Sequence, residues 1–137
     1  RFARAEAQRA GVWEALVCNT DGYLADGAIT NVYIVRGDSI VTPPVAAGAL
    51  PGITRRVLRE IADELGLPWN ERPIPLPDLF GAGEAFLTNA LVGVLPLVRV
   101  DERQIGGGRR GPVTRRLQEA YVELVERESQ FLFPSTT

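Results

Sequence analysis

Three short segments of this 137-residue chain carry the side chains best suited to bind a ligand or take part in catalysis. Asp26 lies between two β-prone stretches and precedes Gly27, so its carboxylate either serves a ligand or hydrogen-bonds its own turn. Thr54 lies at the start of a strongly amphipathic stretch, where its hydroxyl and the free N–H groups of a helix start could hold a phosphate or simply cap the helix. Thr88 and Asn89 end an apolar strand, and either face a ligand or begin a turn.

The residue types that are missing narrow the chemistry further. All 15 basic residues are arginine, and the chain contains no lysine and no histidine. Histidine-based catalytic triads and histidine-ligated metal sites are therefore excluded for these residues, and Cys18 alone cannot form a zinc site. One cysteine also excludes an internal disulfide framework, which indicates a cytoplasmic protein in which Cys18 is a small buried hydrophobe on a strand.

The composition is that of a single globular domain. An apolar fraction of 45% with 23% charged residues is enough to build a core. The net charge of −2, with both signs interspersed, argues against a nucleic-acid-binding surface. The longest apolar run, residues 90–98, contains Gly93 and Pro96 and is too short to span a bilayer. We therefore expect no nucleic-acid partner and no membrane association.

Periodicity and turn residues predict a mixture of strands and helices. Helices are predicted over residues 1–10, 53–65 and 76–80, and from Pro112 onward. Strands are predicted over residues 13–18, 29–35, 39–42, 69–74, 84–88 and 93–100. Residues 1–130 are expected to form one α+β or barrel-like domain, with residues 131–137 as a loose C-terminal tail.

The helix predicted over residues 53–65 is the most clearly amphipathic one. Arg55, Arg59 and Asp63 are expected to lie mostly off its buried face, and Gly66 to end it. The buried face is formed by five apolar residues at helical spacing: Val57, Leu58, Ile61, Ala62 and Leu65.

The order of these segments resembles the class IV family of pyridoxal-phosphate-dependent aminotransferases and lyases. The resemblance rests on residues 14–35, 48–56, 84–101 and 105–121 and covers nearly the whole chain. It implies the larger C-terminal domain of that family, a pseudo-barrel of the D-amino acid and branched-chain aminotransferase type. The cofactor of the family lies between this domain and an N-terminal one, which the resemblance places upstream of Arg1 together with the Schiff-base lysine. The chain alone is then expected to contain no catalytic residue and to be inactive.

The resemblance also implies a site for pyridoxal 5′-phosphate, residue by residue. Asp26, within residues 22–33, takes the place of the family's usual glutamate, which keeps the pyridine nitrogen of the cofactor protonated. Aspartate is one methylene shorter, which is a departure from the family pattern. Ile53 and Thr54 match the pair that binds the phosphate at a helix start. Asn89 is the fourth residue implied to contact the cofactor.

The segment at the end of the strand predicted over residues 84–88 selects a reaction within the family. Asn89, Ala90 and Leu91 occupy the turn that the resemblance places beside the substrate carboxylate. Aminotransferases of the family tend to have small hydroxyl residues there, whereas Asn-Ala-Leu is similar to aminodeoxychorismate lyase, which makes para-aminobenzoate and pyruvate in folate biosynthesis. The resemblance therefore implies this lyase, acting on a small-molecule amino substrate as a cytoplasmic homodimer. The alternatives are a class IV aminotransferase of the branched-chain or D-amino acid type, and a non-catalytic domain that lacks the lysine.

Overall fold

A computed structural model describes the backbone of residues 2–7, 13–18, 24–25, 31–44, 53–89, 93–100 and 103–132. The strands in these ranges are β1 Phe2–Ala7, β2 Trp13–Cys18, β3 Leu24–Ala25, β4 Asn31–Arg36, β5 Ser39–Thr42, β6 Trp69–Glu71, β7 Glu84–Asn89, β8 Gly93–Val100 and β9 Arg103–Gln104. The helices are α1 Ile53–Glu64, α2 Leu76–Phe80 and α3 Pro112–Leu132. The predicted α+β class is confirmed.

The N-terminal segment corrects one sequence prediction, because residues 2–7 form strand β1 where a helix was expected over residues 1–10. The backbone of β1 pairs antiparallel with β2 on one side, with Phe2 opposite Val17, and with β8 on the other, with Ala5 opposite Val100. Alanine, arginine and glutamate favour helices locally, which explains the error. Two neighbouring strands override that preference, since propensity is a weak determinant beside tertiary pairing.

Two further element ends differ from the prediction. The strand expected over residues 69–74 ends at Glu71, before Pro73 and Pro75, which have no N–H group to donate to a ladder. Helix α3 continues through Leu132, two residues into the segment expected to be loose. Residues 133–137 lie outside the described residues.

Within the part of the chain that the structure describes, nine strands form one sheet. The strand order is β3-β2-β1-β8-β7-β4-β5-β6, with β9 pairing with β8. The pair β5–β6 is parallel, whereas the other pairs of described strands are antiparallel. Parallel neighbours need a crossover connection, and α1 lies in the connection between β5 and β6. The start of α1 therefore follows the C-terminal end of β5.

The central strands are buried on both faces. On β4, Val32 and Ile34 belong to a cluster that includes Leu79 of α2, whereas Tyr33 and Val35 belong to a second cluster. Successive side chains of a strand point to opposite faces, so the two clusters lie on opposite sides of the sheet. We call the second one the helix-side cluster; α1 and α3 contribute five of its buried residues: Leu58, Ile61, Ala62, Val113 and Leu117.

Helix α1 ends where its sequence indicates. Gly66 has a φ of 73° and follows the last turn. Its N–H donates to Asp63 O at 3.2 Å, and the N–H of Leu67 donates to Ala62 O at 2.9 Å. These two bonds form the Schellman arrangement, in which a left-handed glycine lets the chain turn back and satisfy the final carbonyl groups.

The start of α3 is capped by a residue from a distant strand. Gly111 has no side chain to accept the first N–H groups, although its carbonyl oxygen accepts the N–H of Arg115 at 3.1 Å. Glu84, the first residue of β7, accepts the N–H of Val113 through Oε2 at 3.1 Å and that of Thr114 through Oε1 at 2.8 Å. A carboxylate here satisfies two orphan donors and complements the helix dipole. Glu84 therefore ties α3 to the sheet.

Candidate functional site

One end of the sheet gathers the segments that the sequence singles out. Strand β4 begins where β7 ends, because Asn31 lies opposite Thr88. Strand β8 begins there as well, since Gly93 pairs with Asn89. Strand β5 runs antiparallel to β4, so its last residue, Thr42, lies at the same end. The connections that precede β4, follow β5 and join β7 to β8 therefore leave the sheet together.

The residues predicted to bind the cofactor or the substrate lie in these three connections or directly beside them. Asp26 lies between β3 and β4, Ile53 and Thr54 follow the connection after β5, and Ala90 and Leu91 join β7 to β8. Asp26, Ala90 and Leu91 lie outside the described residues. For Asn89, predicted to contact both cofactor and substrate, the structure describes the backbone as the end of β7. The side chains of Ile53 and Thr54 both lie at the start of α1.

The start of α1 has the chemistry of an anion-binding site. The first turn of α1 contains no acidic residue, so nothing there opposes a negative charge at the positive end of the helix. Thr54 is only 6% exposed, whereas Ile53 is 71% exposed although it is large and apolar. The Thr54 Oγ1 atom lies 3.5 Å from the hydroxyl oxygen of Tyr121 on α3. A buried hydroxyl beside free helix N–H groups fits a phosphate group.

Arg55 is a residue that the sequence analysis misplaced. It was expected mostly off the buried face of α1, but it is only 4% exposed. Its Nη1 donates to Thr42 Oγ1 at 3.3 Å and its Nη2 donates to Pro43 O at 2.8 Å, at the end of β5. Nη2 also lies 3.4 Å from Oε1 of Glu71, the last residue of β6. Arg55 thus ties the start of α1 to the end of β5, which are the two ends of the connection that leads to Thr54.

The spacing of residues in α1 is compatible with the burial of Arg55. Arg55 lies three residues before Leu58, and residues three apart share a face of a helix. An arginine at such a position is buried when partners satisfy its guanidinium, and Thr42 together with Glu71 supplies them. Those partners come from two other elements, so the helical spacing alone could not reveal them.

Thr88 lies at the strand end where a ligand-facing role was one of two predicted outcomes. Its hydroxyl donates to the hydroxyl oxygen of Tyr33 at 3.1 Å inside the helix-side cluster. The Tyr33 ring stacks on Phe86, with ring centroids 4.7 Å apart and an interplanar angle of 6°. Thr88 therefore anchors the end of β7 to β4, and the following residue, Asn89, begins the connection to β8.

A comparison with protein families decides which family this arrangement belongs to. The model of the family described as amino-transferase class IV matches residues 1–100 of the chain. The chain belongs to the class IV aminotransferase family. The family predicted from the sequence is thereby confirmed. The members of this family are enzymes.

Known relatives agree with this assignment. The branched-chain-amino-acid aminotransferase of Pseudomonas aeruginosa is 41% identical over 129 residues, which cover 94% of the class IV chain and 42% of the relative. The enzyme of the same name from Escherichia coli strain K12 is 37% identical over 125 residues, covering 91% of the chain and 40% of the relative. The class IV chain thus spans about two fifths of the length of these curated relatives.

A solved structure confirms the fold of the class IV chain. The branched-chain amino acid aminotransferase of T.th., complexed with N-(5′-phosphopyridoxyl)-L-glutamate, is 37% identical and superposes with a TM-score of 0.78. The match covers 85% of this chain and 39% of that structure. The cofactor expectation is confirmed at the level of the family, because this neighbour holds a phosphopyridoxyl ligand. All three of these proteins are named branched-chain aminotransferases, the activity stated above as an alternative to aminodeoxychorismate lyase.

The described residues contain neither a cluster of side chains suited to a metal ion nor a helix suited to crossing a membrane. Among the described residues, no group of three or more cysteine, aspartate or glutamate side chains is placed to hold a metal ion. In the same part of the chain, no helix has both the length and the apolar character needed to cross a membrane.

Proposed function

We propose that this chain is part of a pyridoxal-5′-phosphate-dependent branched-chain-amino-acid aminotransferase, in which it holds the phosphate and the pyridine nitrogen of the cofactor. The observation that carries the proposal is the 41% identity to the Pseudomonas aeruginosa enzyme across 94% of the chain. The convergence of three connections at one end of the sheet supports it, because a cofactor needs contacts from several segments at once.

The described donors suit the cofactor phosphate. The first N–H groups of α1, at Ile53 and Thr54, have no intrahelical partner, so they and the buried Thr54 hydroxyl would donate to phosphate oxygens. The positive end of α1 would favour the negative charge of the phosphate. Arg55 would act indirectly, since its bonds to Thr42 and Pro43 hold the connection before α1 in place. The backbone of Asn89 would contribute from the end of β7.

Two roles rest on the family resemblance. The Asp26 carboxylate would keep the pyridine nitrogen protonated, because a carboxylate beside the ring favours its cationic form. The bound cofactor would supply an electron sink for the carbon that loses its proton. The lysine that holds the cofactor has to come from outside these 137 residues, since all 15 basic residues here are arginine. The homodimer expected from the sequence remains a prediction.

Aminodeoxychorismate lyase is the second candidate, favoured by one specific observation. Asn89, Ala90 and Leu91 stand where aminotransferases of the family tend to have small hydroxyl residues. An asparagine changes both the room and the hydrogen-bond donors beside the substrate carboxylate. This segment is short, whereas the similarity to branched-chain aminotransferases extends over more than nine tenths of the chain, so we rank the aminotransferase first.

The reaction type can be measured directly. We expect the complete protein that carries this chain to transfer the amino group of a branched-chain amino acid to 2-oxoglutarate. Its kcat/KM for this reaction should exceed that for pyruvate release from aminodeoxychorismate by at least about tenfold, or about 1.4 kcal/mol in transition-state free energy. A preference for pyruvate release would replace the aminotransferase proposal by the lyase. No absorbance change on adding pyridoxal phosphate would refute both.

Replacing Thr54 by alanine should weaken cofactor binding by about 1–3 kcal/mol, the scale of one charge-assisted hydrogen bond. Binding should persist, because the backbone N–H groups and the helix dipole remain. The measurement is the dissociation constant of pyridoxal phosphate, obtained by titrating the apoenzyme and following absorbance.

Thr114 offers a matched control for the Thr54 variant. It is a buried threonine at the start of the other long helix, and its Oγ1 has no hydrogen-bond partner within the described structure. Thr114→Ala should therefore leave the dissociation constant of pyridoxal phosphate unchanged. Thr54→Ser keeps the hydroxyl and should lose little affinity for the cofactor. Equal affinities for wild type and Thr54→Ala would mean that the buried Thr54 hydroxyl has only a structural role at the start of α1.

A further inference from the structure

Tyr121 contacts two of the segments that leave the same end of the sheet. From the middle of α3, its hydroxyl oxygen lies 3.5 Å from Thr54 Oγ1 at the start of α1. Its ring lies against Gly93, the first residue of β8, so closely that a Cβ added at Gly93 would stand 2.7 Å from Cε1 and 2.9 Å from Cδ1. One half-buried side chain therefore supports both the helix start and the connection between β7 and β8.

Gly93 is required at this contact for two independent reasons. Its φ of 73° is a conformation that residues with a Cβ rarely adopt. The Tyr121 ring also occupies the space that a Cβ would need. Because Gly93 pairs with Asn89, the ring packs against the residue at which the connection between β7 and β8 ends. A change in the position of the ring would therefore move the start of β8.

The hydroxyl contact is suited to an indirect role. A separation of 3.5 Å is longer than a full O–H···O hydrogen bond, so the contact is weak by itself. A threonine hydroxyl has one proton and two lone pairs. Thr54 can therefore donate its proton to an anionic oxygen and accept from Tyr121 at the same time, and bonds in such a chain strengthen one another.

We propose that Tyr121 is a positioning residue for the phosphate of the cofactor, acting through the Thr54 hydroxyl and through Gly93 at the base of the β7–β8 connection. This inference rests on the proposed function, since it assumes that α1 receives the phosphate. It assigns Tyr121 no contact with the reacting atoms. The residue sets how tightly the phosphate group is held and leaves the recognition of the pyridine ring to other segments.

The test compares two ligands in the complete protein. Tyr121→Phe keeps the ring against Gly93 and removes only the hydroxyl. We expect the dissociation constant of pyridoxal phosphate to rise about threefold to tenfold, the scale of one modest hydrogen bond. The dissociation constant of pyridoxal, which has no phosphate, should stay unchanged. The ³¹P resonance of the bound cofactor should also shift relative to wild type.

A double-mutant cycle tests whether the effect passes through Thr54. In a Thr54→Ala background, Tyr121→Phe should cause no further loss of affinity, because its partner is already gone. Gly93→Ala tests the same contact by displacing the Tyr121 ring. It should weaken the binding of pyridoxal phosphate more than the binding of pyridoxal. This second variant keeps the proposal testable if Tyr121→Phe proves too unstable to purify.

The outcomes separate this inference from the proposed function. If Tyr121→Phe weakens the binding of both ligands equally, Tyr121 serves only the packing of the helix-side cluster, and the inference is overturned. Additive losses in the cycle would also overturn it. If wild type binds pyridoxal and pyridoxal phosphate equally, the helix start does not receive the phosphate, and the proposed site itself fails.

Discussion

Asp26→Asn should lower kcat of the complete protein by at least about a hundredfold, the scale seen when one preorganised electrostatic group is removed from an active site. An asparagine side chain has the same size but no negative charge, so it cannot keep the pyridine nitrogen protonated. The thermal unfolding midpoint should change little, because a side chain that faces a ligand makes few contacts with its own fold. Both quantities are measured on purified protein, by steady-state kinetics and by calorimetry.

Asp26→Glu is the matched control for this prediction. It keeps the charge and restores the residue that is usual in the family, so it should lose far less activity than Asp26→Asn. Wild-type turnover in Asp26→Asn would mean that the carboxylate only stabilises the turn before Gly27. A large loss of stability together with the loss of activity would point the same way.

Glu84→Ala should produce the largest stability effect among the described residues that we consider, a loss of about 2–4 kcal/mol. It removes two hydrogen bonds from a buried carboxylate to the first N–H groups of α3, each worth about 1.5–3 kcal/mol before the structure relaxes. Water can satisfy part of the exposed helix end, which keeps the net loss below the sum. The unfolding midpoint of the complete protein, measured by calorimetry, should fall accordingly.

A second substitution makes the Glu84 prediction sharper. Gly111 lies at the N-cap position of α3, and a Cβ there would overlap Cγ and Cδ of Glu84. Gly111→Asp should therefore destabilise the wild type. In the Glu84→Ala background the overlap is gone, and the new aspartate can cap the helix locally and recover about 1 kcal/mol. The same sign of effect in both backgrounds would contradict the view that Glu84 is the cap.

Local patterns were sufficient for the elements whose stabilising contacts are close in sequence. The helix predicted over residues 53–65 is found at Ile53–Glu64, and Gly66 ends it as expected. Helical spacing and a C-terminal glycine act within a few residues, so the chain alone displays them. Strands β4, β5 and β8 follow their β-branched and apolar runs for the same reason.

The order of short motifs predicted both the family and the site residues, and the comparison confirmed the family. The cofactor contacts of Asp26, Ile53 and Thr54 stay predictions. The strand-end segment pointed to a lyase, whereas the relatives that are similar to nearly the whole chain are named branched-chain-amino-acid aminotransferases, the activity that we propose. Three residues at one strand end carry less information than a similarity that extends over most of the chain.

The sequence by itself determined the family, the amphipathic helix α1 and the residues proposed to meet the cofactor. Only the tertiary structure decided that residues 2–7 pair as a strand, that Arg55 is buried against Thr42 and Pro43, and that Glu84 caps a helix far along the chain. It also decided that three connections leave the sheet at one end. In each case the stabilising partner lies on another element, and the identity of a distant partner leaves no trace in the local spacing of residues.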